Sequence, residues 1–188
     1  MMMTMRASVL SAGVLAVLAC MLCAGGASAQ TQVPVDPACV NATNPPYLVS
    51  YHIHILFNAN NEDEVSRAMA LQHDFVKQFN VPIGKKENCT FAAGDPRPEQ
   101  KSVCAYPTAW LPEGPFPTAQ YSFFVPRSHY SETVQWVIQR RNGLDLLVHP
   151  NSGCEIQDHL HWAVWGGNPW ELNEAAFHCD SPGCIPPP

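Results

Sequence analysis

A chain of 188 residues, 46% hydrophobic and 14% charged, is long enough to build one domain around a real core. Its formal charge of −6, with no basic run, argues against nucleic acid or an anionic membrane surface as a partner. A small-molecule partner is the expectation that remains.

Residues 1–29 carry Arg6 as their only charge, an apolar run over residues 7–23, and the small-x-small ending Ala27-Ser28-Ala29. This pattern predicts a secretory signal peptide cleaved before Gln30, hence a secreted protein with no membrane contact after cleavage. The apolar run is short for a spanning helix and breaks at Gly25-Gly26. Six cysteines remain beyond it: Cys39, Cys89, Cys104, Cys154, Cys179 and Cys184. An even number behind such a leader predicts up to three disulfides, and Cys179 with Cys184, across Asp180-Ser181-Pro182-Gly183, is the first pair expected. The sequons Asn41-Ala42-Thr43 and Asn88-Cys89-Thr90 permit N-glycosylation in a eukaryotic host.

A Pro-rich lead-in over residues 30–46 precedes a domain over residues 47–170, and a Cys- and Pro-containing tail covers residues 171–188. The first strand is expected over residues 48–57, where Val49, Tyr51, Ile53, Ile55 and Phe57 form an apolar face and Ser50, His52 and His54 point the other way. A helix follows. Asn61 can cap it, Glu62, Asp63 and Glu64 suit its first turn, Val65, Ala68, Met69, Phe75, Val76 and Phe79 recur at helical spacing, and Pro82 is expected to end it.

Residues 82–117 contain seven prolines and read as an irregular excursion with one short strand near residues 103–106. A strand over residues 119–125 should pack Ala119, Tyr121, Phe123 and Val125, leaving Gln120, Ser122 and Phe124 opposite. A second helix is expected over residues 131–142, with Val134, Val137 and Ile138 as its stripe and Gly143 as its stop. Residues 144–148 then form a strand that delivers His149, and a last strand carries His159 and His161 opposite Leu160, Trp162 and Val164. The order βαββαβ predicts an α+β, ferredoxin-like sandwich, two helices on one face of an antiparallel sheet, with an additional C-terminal strand. Its first and fourth strands are neighbours, which puts His52 and His54 beside His149.

Five histidines therefore fall in three tight groups, His52-Ile53-His54, His149 and Asp158-His159-Leu160-His161, and all avoid the apolar side of their strands. Imidazoles with one carboxylate and open coordination positions are the ligand set of non-haem Fe(II) oxygenases. We expect His54, His149 and His159 to hold the metal, and His52, His161 and Asp158 to serve as acid/base groups. His73, His129 and His178 fit solvated or structural positions, and Trp162, Trp165 and Trp170 fit core or rim. A secreted binding protein for a metal or small ligand is the main alternative, and a disulfide-stabilised interaction domain with incidental histidines is a third.

Tyr51-His52-Ile53-His54-Ile55-Leu56-Phe57, then Gly114-Pro115-Phe116-Pro117, then Leu147-Val148-His149-Pro150-Asn151-Ser152-Gly153, and finally Asp158-His159 through Ala163-Val164-Trp165-Gly166-Gly167, resemble successive motifs of the DOPA 4,5-dioxygenase family. The resemblance covers residues 47–167. It implies a ferredoxin-like, usually dimeric fold and Fe(II)-dependent extradiol cleavage of a catechol by O2, with His52, His54, His149 and His159 matching family histidines and Asp158 beside them. One departure bears on chemistry: the family typically has a histidine between the two prolines where this chain has Phe116. The resemblance then leaves His161 as the substitute for that group. The leader, the six cysteines beyond it and the stretched segment over residues 82–112 also depart from the family pattern.

Overall fold

The computed structural model describes residues 37–41, 43–81, 83–84 and 102–177. The expected signal peptide, the sequon at Asn88, Cys89, His178 and the expected pair Cys179 and Cys184 lie outside the described residues.

Strand β1 is Ser50–Phe57, and alternation sets its faces: Ile53, Ile55 and Phe57 are fully buried on one side, with His52, His54 and Leu56 on the other. Helix α1, Glu62–Phe79, begins where its first turn requires, because Asn61 Oδ1 accepts from the backbone N–H groups of Asp63 and Glu64. Its end differs from expectation. Asn80 takes the left-handed conformation at φ 51° and donates its N–H to the Val76 carbonyl, so the helix is already closed before Pro82.

The excursion contributes only a two-residue strand among the described residues, β2, Cys104–Ala105. Strand β3 is Ala119–Pro126, and helix α2 is Tyr130–Arg140. The buried stripe of α2 is Thr133, Trp136 and Val137, whereas Ile138 is 51% exposed. The helix is turned towards Trp136, whose ring meets Phe75 and Phe79 of α1 at 5.8 and 5.7 Å between centroids; the larger aromatic surface takes the core position. Strand β4, Asp145–Asn151, runs past His149 instead of ending at it, and β5 is Val164–Gly166.

The strands form one sheet in the order β2-β3-β1-β4-β5, every pairing antiparallel. The fold is α+β, a five-stranded antiparallel sheet with two main helices. Both helices cover the same face, where Ile53, Ile55 and Phe57 pack with Ala68, Leu71 and Phe75 of α1, Val137 of α2, and Tyr121, Phe123, Leu146 and Val148 of the neighbouring strands. The opposite face is covered too. Leu56 and Leu147 pack there with Phe116, Leu172 and Phe177, and with the half-buried Ile156, Leu160 and Trp165.

The strand expected to carry His159 and His161 is corrected: residues Gln157–His161 form one turn of wide helix in which the Trp162 N–H reaches the Gln157 carbonyl at 2.7 Å, and extended backbone begins only at Val164. A disulfide from Cys39 to Cys154 anchors the start of this turn, and the Asp158 N–H bonds the Cys154 carbonyl at 2.8 Å. Short polar–apolar alternation suits either state, and here the tether and the helical hydrogen bonds decide it. No helix among the described residues is long and apolar enough to cross a membrane.

Candidate metal centre

Register brings the first two histidine groups together. His52 lies directly opposite His149 in the β1–β4 ladder and opposite Phe124 in the β1–β3 ladder, while His54, two residues on, faces Leu147 and Ser122. Residues two apart share a face, so His54 reaches diagonally to His149, and their Nε2 atoms are 3.2 Å apart. The donor nitrogens of His52, His54 and His149 all lie within 4.8 Å of one another. This face is not the open patch of sheet that alternation alone suggests: His54 is 6% exposed and His149 1%.

The hydrogen bonds fix which nitrogen is free. A carbonyl oxygen only accepts, so His149 Nδ1 donates to the Pro150 carbonyl at 2.7 Å and His159 Nδ1 donates to the Glu155 carbonyl at 2.9 Å. In the same way His54 Nδ1 donates to Gln120 Oε1 at 3.0 Å. Each neutral ring therefore presents an Nε2 lone pair, the form that binds metals, with its other nitrogen held by an outer partner.

Charge follows from burial. Burial holds the pKa of His54 well below the usual histidine range, reinforced by His52 and His159 and opposed by the Gln120 hydrogen bond. His149 is held well below it by burial and by His159 and His54, against the Pro150 hydrogen bond. His159 is lowered by burial, against its backbone hydrogen bond to Glu155 and the Glu155 charge. Its 3.6 Å approach to the Glu155 carboxylate is accordingly no ion pair at neutral pH.

Two lone pairs 3.2 Å apart repel unless a cation lies between them. Imidazole nitrogens at a typical metal–nitrogen distance of ~2.1 Å and at right angles about one ion would stand roughly 3 Å apart, so the observed spacing fits a shared metal. The residues present fit the group.

His159 stands against His149, with ring centroids 3.8 Å apart, but outside the convergent trio. Asp158 is turned to its own loop: Oδ2 accepts from the Ser152 N–H at 2.9 Å and Oδ1 from the Ser152 hydroxyl at 2.7 Å. Burial pushes its pKa up to about 6 against those hydrogen bonds. His161 is exposed and lines a separate cavity of about 680 Å³ with Cys39, Pro45, Pro46 and Trp162. In a helical turn, residues two apart point to roughly opposite sides, which is why His159 goes in and His161 goes out. Trp165 packs with Leu147 beneath the covering segment, and Trp170 donates its indole N–H to Asp145 at 2.9 Å.

Phe116 is 4% exposed and stacks on His54, ring centroids 4.2 Å apart at 28°. Two contributors escape a sequence reading centred on histidines. Gln120 is one, although its parity on β3 already sets it on the histidine face. Tyr106 is the other: its ring meets His52 edge-on at 5.6 Å, and burial pushes its phenol pKa upward, keeping the hydroxyl protonated. No spacing signal marks it, because β2 is two residues long.

Fold and site together define an α+β domain with a buried cluster of neutral imidazoles able to hold a metal ion. The chain matches the Dopa 4,5-dioxygenase family over residues 51–176 and belongs to that family. It is similar to an Amanita muscaria protein named DOPA 4,5-dioxygenase, 26% identical over 125 residues, which are 66% of this chain and 48% of that protein. The chain thus spans about half the length of the curated relative it matches. It is also similar to a Nostoc punctiforme protein whose crystal structure is described as that of a candidate dioxygenase, at TM-score 0.49 and 23% identity, over 67% of this chain and 88% of that one.

Proposed function

We propose that this protein is an Fe(II)-dependent extradiol dioxygenase that opens the ring of a DOPA-like catechol with O2. The observation that carries the reading is the His54–His149 pair, two buried neutral imidazoles whose Nδ1 atoms are committed elsewhere and whose Nε2 atoms face each other at 3.2 Å. His54 and His149 hold the ion with His52, the third member of the trio. That assignment exchanges the roles given to His52 and His159 by sequence alone. When bound, the iron supplies charge stabilisation for the catechol oxygens and the electron transfer by which O2 reacts with an electron-rich ring.

The chain's own groups do the rest. His159, neutral and anchored through Nδ1, offers Nε2 as acceptor for a phenolic proton beside His149. Asp158 holds the loop that positions His159, through Ser152. Phe116 and the segment over residues 154–177 exclude water from the face where charge develops.

The wider reading is a ferredoxin-like sandwich extended by β5, supported by the strand order and by a helix after β1 and after β3. The apolar N-terminal run, the Cys39–Cys154 disulfide and the sequon at Asn41 support a secreted, glycosylated protein; the catechol and O2 as its partners, and a homodimer, are what the family resemblance implies.

A second reading keeps the metal and loses turnover, and Phe116 favours it, since an apolar ring lies on His54 where the family resemblance puts a histidine. Anaerobic loading with Fe(II), followed by O2 uptake with simple catechols, decides between them. Uptake with a coloured ring-opened product is expected; retained iron without uptake points to the binding protein.

A further inference from the structure

Tyr106 reaches the histidine face from the Pro-rich excursion. Its backbone N–H bonds the Ser122 carbonyl at 2.9 Å, and Ser122 is the β3 partner of His54, so the tyrosine stands in the row that contains His54, next to His52. Its hydroxyl oxygen is buried and has no hydrogen-bond partner among the described residues. A buried polar group left unpaired destabilises a fold, and one retained at a site calls for a partner from outside the chain.

We propose that the Tyr106 hydroxyl is a substrate-orienting donor, giving its hydrogen bond to an oxygen of the catechol received at the His52–His54–His149 cluster. The inference rests on the dioxygenase reading. The cluster itself is rich in acceptors and poor in donors, because the Nδ1–H groups of His54, His149 and His159 are spent on Gln120, Pro150 and Glu155. A catechol oxygen that has lost its proton is a strong acceptor, and a phenol O–H pairs with it through a charge-assisted bond. Such a contact fixes which edge of the ring meets the histidines. Tyr106 is then a specificity residue as well as a binding one.

The test titrates 4-nitrocatechol, a catechol whose visible spectrum reports its ionisation, into anaerobic Fe(II)-loaded protein and into its Tyr106→Phe variant. Iron content and Tm are measured on both. The proposal expects unchanged iron, a Tm unchanged or raised because an unpaired hydroxyl has gone, and a Kd roughly tenfold higher. Equal affinity and spectrum in an iron-loaded variant would overturn the donor and leave the dioxygenase reading standing. A lowered Tm with lost iron makes the hydroxyl structural and overturns it as well. Wild-type protein that loads no iron, or loads iron and ignores the catechol, removes the dioxygenase reading and the donor with it.

Discussion

Gln120 and His54 show how much a single amide can decide. With its Nδ1–H given to Gln120, His54 has one tautomer and one orientation, and its Nε2 faces His149. Gln120→Leu should leave the fold intact and weaken metal binding about 10–100-fold, the usual consequence of removing an outer partner of a ligating histidine; competition with a chromophoric chelator measures it. His149→Ala should abolish stoichiometric metal outright. The same residues set the acid response of the metal-free protein. Three histidines have folded pKa values below their ordinary 6.5, so the unfolded chain binds more protons as pH falls, and the stability they give, complete above about pH 6.5, is lost on acidification. Asp158 works the other way: raised from 3.8 to about 6, it favours the folded state at low pH and loses that contribution as pH rises through about 4 to 6. Three groups outweigh one, so Tm in a chelating buffer should fall between pH 7.5 and pH 5, and should fall more steeply in Asp158→Asn.

Among the elements, β1, β3 and β4 are plain in the amino-acid order because each keeps period-two alternation for seven or eight residues with a wholly apolar inner side. The start of α1 is equally plain from Asn61 and the three acidic residues after it. The stretch holding His159 and His161 alternates too briefly to tell strand from helix, and its state is set from outside it, by Cys39 through the disulfide to Cys154 and by Ser152 through the Asp158 carboxylate. That one difference removes His161 from the cluster and buries His159. The β5 exit has a sharper requirement. Gly167 has φ +97°, and a Cβ there would collide with the Asp145 carboxylate, which also receives the Asn168 N–H and the Trp170 indole. Gly167→Ala should cost about 1–3 kcal/mol of unfolding free energy through backbone strain, read by urea denaturation.

For the molecule as a whole, one sheet serves two purposes. Its helix-covered face holds the larger core, and its other face holds the imidazoles beneath a thinner apolar cover. Substitutions should therefore separate by face. Leu71→Ala on α1, a buried position 4% exposed, should cost about 2–5 kcal/mol in urea denaturation while metal affinity at low denaturant stays near wild type. His149→Ala should show the reverse balance. That His52 and His54 lie beside His149 was readable, because the connection rules make the first and fourth strands neighbours. The burial of the cluster was not, since its cover comes from Phe116, Leu172 and Phe177 in irregular segments that carry no period.

Cys39 precedes residue 51, where the family match begins, whereas Cys154 lies inside it, two positions after the serine that grips Asp158. The segment ahead of the family match is thus bolted to the very turn that roofs the imidazoles. Folding in a reducing milieu would give the same sheet with a loosened roof, and His159 would lose its fixed place beside His149. Closing the Cys39–Cys154 bond and fixing the cover over the imidazole pocket are therefore coupled in this fold.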